Sequence, residues 1–158
     1  MNPIRLREAT TADRPELDRM AIAMAKESPR FSAFPVSLPK IHALVDNMQA
    51  NPNALVLVAD DGDGLAGMLL GFVVPHFFSD ALTASELVVY VDPEHRGGRT
   101  GLRLIQRFES WAAGRGAAEI VLGVSTEVDA ERTAALYERL GYERSGFTTR
   151  KTLVGTVH

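Results

Sequence analysis

The chain has 158 residues, 46% hydrophobic and 23% charged, the balance expected of one soluble globular domain spanning residues 1–158. Seventeen Lys and Arg against 20 Asp and Glu give a net charge of −3, which argues against a nucleic-acid module and against an anionic membrane as partner. There is no cysteine, which excludes disulfides, thiolate zinc sites, iron–sulfur clusters and any cysteine nucleophile. The longest apolar runs, 55–59 and 68–74, fall far below the roughly 20 residues that span a bilayer. The opening MNPIRLREATTADRPE has no apolar core of a signal peptide, so the cytoplasm is the expected compartment. Arginine supplies 14 of the basic residues and lysine only 3, and five arginines lie between Arg96 and Arg115.

Ile4 to Glu8 alternates apolar and polar, the period of a half-buried strand, and Thr10, Thr11 and Asp13 then offer helix caps. Leu17, Met20, Ala21 and Met24 stand at i, i+3, i+4 and i+7, the stripe of a helix that ends near Ser28-Pro29. Residues 30–39, with Phe31 and Phe34 among prolines, read as a loop carrying aromatics. Ile41, Leu44, Val45 and Met48 predict a second helix over 38–49. The apolar runs 55–59 and 65–74 flank Asp60-Asp61-Gly62-Asp63-Gly64 and predict a hairpin. A third strand is expected over 82–91, closed by a turn at Asp92-Pro93-Glu94.

From Gly98 the period changes to that of a helix. Gly101, Leu104, Ile105, Phe108, Trp111 and Ala112 make one apolar face, ended by Gly114 and Gly116. A short buried strand over 119–124 follows, then a helix over 130–140 with Gly141 beyond its end, then one or two closing strands within 142–153.

The segment VYVDPEHRGGRTGLRL, residues 89–104, is a strand, a glycine-containing turn and a helix start. The first N–H groups of a helix lack intrahelical partners and carry partial positive charge, so this construction stabilises a phosphate. Gly97, Gly98 and Gly101 leave the backbone open to an anion. Arg96, Arg99, Arg103 and Arg107 follow at spacings that line one face of the helix start. Cations there oppose the helix dipole and one another, which points to a polyanionic ligand; a solvated arginine face is the alternative, favoured for Arg107. Neither G-x-x-x-x-G-K-[ST] nor G-x-G-x-x-G is present, so the site is neither a P-loop nor a dinucleotide fingerprint.

With Val91, Pro93, Arg96, Thr100 and Gly101 in register, this segment resembles the V-x-P-x-x-[RQ]-x-x-G-x-[GA] signature of the GNAT superfamily of acyl-CoA-dependent N-acyltransferases. The chain departs from it at Arg99, which stands in place of the middle glycine. Residues 4–10 with Asp13 resemble the family's first strand and helix cap. Leu136-Tyr137-Glu138-Arg139-Leu140-Gly141-Tyr142 resembles its L-Y-x-x-x-G-F segment, although Asp129 and Ala130 occupy the neighbourhood of its frequent asparagine.

The resemblance implies an α/β (α+β) fold: a mixed, mostly antiparallel sheet of six to seven strands with about four helices, and an acyl-CoA cleft between splayed strands. It implies that acetyl-CoA is the co-substrate, that no metal is needed, and that an amine of a small molecule or peptide is the acceptor. Val89, Tyr90 and Val91 would meet the pantetheine arm, and Arg96, Gly97, Gly98, Arg99, Thr100, Gly101 and Arg103 the pyrophosphate. Tyr137 stands where the family has a general acid, although it also falls on the stripe Thr133, Leu136 and Leu140 and has packing as its alternative. Glu86 stands where some relatives keep a general base, with a solvated charge as its alternative. His76 is a further candidate base, and Phe31, Phe34, Tyr90 and Phe147 are candidate acceptor walls, each with packing as the alternative. A homodimer is compatible with the resemblance. A catalytically silent acyl-CoA-binding or scaffold protein is the competing reading.

Overall fold

The structure, a computed structural model, describes residues 2–124 and 126–153. Five strands form one sheet in sequential order: β1 (Arg5–Glu8), β2 (Ala54–Asp60), β3 (Leu65–Pro75), β4 (Leu82–Val91) and β5 (Ala117–Val121). The first four are antiparallel neighbours and β5 runs parallel to β4. A parallel neighbour needs a long crossover, and α3 (Thr100–Gly114) supplies it. The remaining helices are α1 (Arg14–Glu27), α2 (Leu38–Ala50) and α4 (Ala130–Arg139).

The alternation of β2 and β3 gives each face of the sheet its own core. Leu17 and Met20 of α1 and Val45 and Met48 of α2 pack on Val56, Val58, Met68, Leu70 and Tyr90. Leu104, Ile105, Phe108 and Ala112 of α3, with Tyr137 of α4, pack on Leu55, Leu57, Leu69, Val73 and Ala84. Phe108, Leu104 and Ile105 are fully buried, each contributing roughly 1.5–3 kcal/mol of apolar burial. Phe108 fits because its neighbour on β3 is Gly71, where a Cβ would stand 2.4 Å from its ring.

Two features of β4 create the site. Its pairing with β5 stops at Ser85↔Val121, so the strands part beyond that point. Its register against β3 passes from Leu70↔Val88 to Gly71↔Glu86, which leaves Leu87 as an extra, bulged residue. A bulge reverses the in–out alternation. Glu86, Val89 and Val91 therefore share the α3 side of the sheet, while Tyr90 faces α1 and α2.

The sheet corrects the expected strand count, since the described residues form five strands and not six to seven. Residues 143–153 are exposed and irregular, where closing strands were expected. Their apolar residues, Phe147 and Leu153, are exposed and so have no buried face to pack on, and Gly146 adopts φ +69, outside the extended range of a strand. The strand expected over 119–124 instead covers Ala117–Val121. The helix expected from Gly98 begins at Thr100, because Gly97 takes φ +83 and holds the preceding turn open. No helix is long and apolar enough to cross a membrane among the described residues.

Candidate active site

Where β4 and β5 part, a cavity of about 370 Å³ runs from the glycine turn before α3 to the inner face of α4. At its deep end the gap between the strands is bridged by side chains. Glu86 Oε1 accepts the Gly123 N–H at 2.9 Å, and the Tyr137 hydroxyl donates to the Gly123 carbonyl at 3.2 Å. Burial pushes the Glu86 carboxyl up to about 6, against the opposing hydrogen bond from Gly123. Burial, and then the nearby Glu86 charge, push the Tyr137 hydroxyl well above its ordinary value. A protonated phenol and a carboxyl that ionises near neutrality thus face one cavity through one residue of backbone.

At the other end, α3 starts without a side-chain cap, and the N–H groups of Thr100, Gly101 and Leu102 donate no hydrogen bond among the described residues. A Cβ at Gly98 would meet nothing within 4 Å, and one at Gly101 only Val91 Cγ2 at 3.7 Å. Open backbone with free donors at a helix N-terminus suits a phosphate group, so the residues present fit the phosphates of an acyl-CoA. Beyond Ser85 the edge of β4 facing the gap has no strand partner among the described residues, as an extended amide-bearing arm would require.

Ion pairs from α1 hold this turn in place. Arg19 donates to both Asp92 carboxylate oxygens, at 3.0 and 2.8 Å, across 73 residues of sequence. Glu27 accepts from both terminal nitrogens of Arg96, with Nη2–Oε2 at 2.8 Å. Arg96 also donates from Nε to the Val91 carbonyl at 2.8 Å and lies over the Tyr90 ring, 5.5 Å from its centroid. Beside these contacts, the Ser28 hydroxyl donates to the Thr126 carbonyl at 2.6 Å and so ties the end of α1 to the loop before α4. In that loop Glu127 and Asp129 hold φ of 57° and 45°, an uncommon conformation for residues with side chains, and Asp129 lines the cavity.

Of the residues singled out in the sequence, Glu86, Val89, Tyr90, Val91, Arg96, Gly97, Gly98, Gly101 and Tyr137 line this cavity together. Three others do not. Arg99 is exposed, Thr100 is buried at the first turn of α3, and Arg103 turns away to donate to the Ile4 carbonyl at 2.8 Å. His76 packs with Phe77 and Phe78 in the β3–β4 loop, outside the cavity. Phe31 and Phe34 also stand outside it, and Phe147 is fully exposed. Asp92, Glu94 and His95 bring potential metal-ligating atoms within 4.8 Å of one another, but Asp92 is committed to Arg19.

Sequence reasoning missed Glu27, Gly123 and Arg132, which also line the cavity. Arg132 stands one turn before Leu136 on α4, so its helical spacing was the available signal. Glu27 and Gly123 reach the cavity only through tertiary packing.

No curated protein matches the sequence significantly. The structure is similar to glucosamine-6-phosphate N-acetyltransferase from Arabidopsis thaliana, with TM-score 0.73 at 13% identity, covering 97% of this chain and 100% of the other. It is similar to a transcriptional regulator from Bacillus halodurans, with TM-score 0.73 at 25% identity, covering 96% and 100%. It is also similar to an aminoglycoside acetyltransferase from an uncultured soil metagenomic sample in complex with sisomicin, with TM-score 0.71 at 18% identity, covering 96% and 97%. The family model described as Acetyltransferase (GNAT) family matches residues 21–142, from α1 through the glycine turn to the end of the α4 motif, and the chain belongs to that family.

Proposed function

We propose that the protein is an N-acetyltransferase that moves the acetyl group of acetyl-CoA directly to a primary amine of a small molecule or peptide. The observation that carries this reading is the shared grip of Glu86 and Tyr137 on Gly123 at the fork of β4 and β5. Bound acetyl-CoA supplies an acetyl thioester activated toward amines. Val89, Tyr90 and Val91 line the arm of the cavity. The turn of Arg96, Gly97, Gly98, Arg99, Thr100 and Gly101 offers the phosphates its backbone, while Arg103, bound to the Ile4 carbonyl, stands away from them.

Transfer forms a C–N bond and breaks a C–S bond. Glu86, ionised above pH about 6, takes the proton that the attacking amine must lose. Tyr137 keeps its proton at neutral pH and delivers it to the leaving sulfur. Without any cysteine the chain has no thiol to hold the acetyl group, which favours direct attack.

The test is thiol release from acetyl-CoA in the presence of a panel of polyamines, aminoglycosides, amino acids and peptides. Amine-dependent release with at least one member, accompanied by the acetylated amine in the mass spectrum, is expected. CoA binding with no amine-dependent release across the panel would assign the protein to the silent acyl-CoA-binding class instead.

A further inference from the structure

Resting on the acetyl-CoA reading, we infer that Arg132 of α4 is the side chain that neutralises the diphosphate of CoA, closing over the glycine turn from the opposite wall of the cavity. The arginines of the turn and α3 are otherwise engaged or directed elsewhere. Arg96 is neutralised by Glu27 and bound to the Val91 carbonyl. Arg103 is bound to the Ile4 carbonyl, and Arg99 does not line the cavity. Arg132 and Arg139 of α4 do line it, and of the two it is Arg132 that reaches the turn, its Nη2 standing 3.9 Å from where a Cβ on Gly97 would be. Among the described residues no carboxylate lies within ion-pair distance of Arg132.

The electrostatics favour such a group. A diphosphate set against the free N–H groups of Thr100, Gly101 and Leu102 meets dipoles worth only about half a charge. A guanidinium adds a full charge in a planar fork matched to phosphate oxygens. Because Arg132 belongs to a helix other than the one the turn opens into, it joins two walls of the cavity through the ligand. It is also independent of the Arg96–Glu27 pair.

The test is the affinity of the purified full chain for CoA, dephospho-CoA and pantetheine, by calorimetry and by inhibition of thiol release. Arg132→Gln is expected to weaken CoA and dephospho-CoA alike, roughly ten- to a hundredfold for a lost charge-assisted contact, and to leave pantetheine unchanged. Arg132→Lys should recover part of the loss, and the salt dependence of CoA binding should become shallower in Arg132→Gln. Arg107→Gln, an exposed charge on α3, is the control for net charge and should bind like the wild type. The unfolding temperature of Arg132→Gln should match the wild type, since the residue is exposed.

Unchanged CoA affinity in Arg132→Gln would overturn the inference while leaving the acetyl-CoA reading intact. A loss seen with CoA but not with dephospho-CoA would overturn it by moving the contact to the 3′-phosphate. A wild-type protein that binds none of the CoA compounds would overturn the acetyl-CoA reading and this inference with it.

Discussion

Glu86 and Tyr137 hold the two polar groups of one residue, the carboxylate accepting the Gly123 N–H at 2.9 Å and the phenol O–H donating to the Gly123 carbonyl at 3.2 Å. They come from β4 and α4, and they meet where the sheet would otherwise continue with a ladder between β4 and β5. Side chains here replace a stretch of strand pairing. The fork stays open beyond Gly123 because Glu86 and Tyr137 satisfy the backbone that β4 no longer reaches.

Glu86 gives a pH dependence with a definite sign. Its folded value of about 6 lies above its ordinary value of 4.5, so kcat/KM should rise through pH about 6 and level off above it. Glu86→Gln should remove that limb and lower kcat/KM roughly 10²- to 10⁴-fold. The raised value also means that the ionised carboxyl weakens the fold above pH 6 and has no effect below 4.5. The variant should therefore be more stable than the wild type at pH 8, by about 1 kcal/mol after screening in the open cavity, and equal to it at pH 4. Urea unfolding at both pH values measures this, and a variant less stable at pH 8 would show that Glu86 serves only as a clasp for Gly123.

Tyr137→Phe removes the hydroxyl and leaves the ring on its stripe. The Gly123 carbonyl then lacks its donor, at a cost of about 1 kcal/mol. Steady-state kinetics should show kcat reduced roughly tenfold or more, with the KM for acetyl-CoA little changed. Because the hydroxyl stays protonated well past its ordinary range, no alkaline loss of activity between pH 7 and 9 should come from Tyr137 in the wild type. An unchanged kcat would return the residue to a packing role.

Gly71 and Phe108 should be coupled. A Cβ on Gly71 would stand 2.4 Å from Phe108 Cε2 and 2.8 Å from Cζ, so Gly71→Ala forces the ring or the sheet to move, at roughly 1–3 kcal/mol. Adding Phe108→Leu makes room for the methyl group. The double variant should be more stable than the sum of the two single losses predicts, which a double-mutant cycle in denaturant reads directly.

Asp13 contributes to the stability of the fold toward acid. It accepts from Arg7 at 2.7 and 2.9 Å and from the Thr10 N–H at 2.7 Å, and the Arg7 guanidinium pulls its carboxyl down to about 2. A lowered value contributes stability that is present above its ordinary value of 3.8 and is lost as the pH falls through about 2. Asp13→Asn should cost roughly 1–3 kcal/mol at pH 7, and the difference should shrink between pH 4 and pH 2 in acid unfolding.

Much of the architecture was legible because it depends on short-range period and punctuation. The stripe of α3, the hairpin of β2 and β3, and the span of β4 appear in the order of residues, since each element must bury one face. The glycine turn before α3 was legible for a similar reason: glycines between a strand and a helix start stand out in the order of residues, and free helix N–H groups suit an anion. The closing strands expected within 142–153 did not form among the described residues, because Phe147 and Leu153 find no surface to pack on and a strand without a partner gains nothing from β-favouring residues.

By itself the sequence determined the family, the position of the glycine turn and the absence of a cysteine nucleophile, because these rest on residue identity and near-neighbour spacing. Only the tertiary structure decided which arginines face the cavity. Arg96 and Arg103 follow the spacing of a phosphate-binding stripe, yet Glu27 and the Ile4 carbonyl, 69 and 99 residues away in sequence, capture them, while Arg132 remains free beside the turn. The physical reason is that a guanidinium goes to whichever acceptors the packed chain brings within reach, and spacing along one helix does not say what the other helices bring.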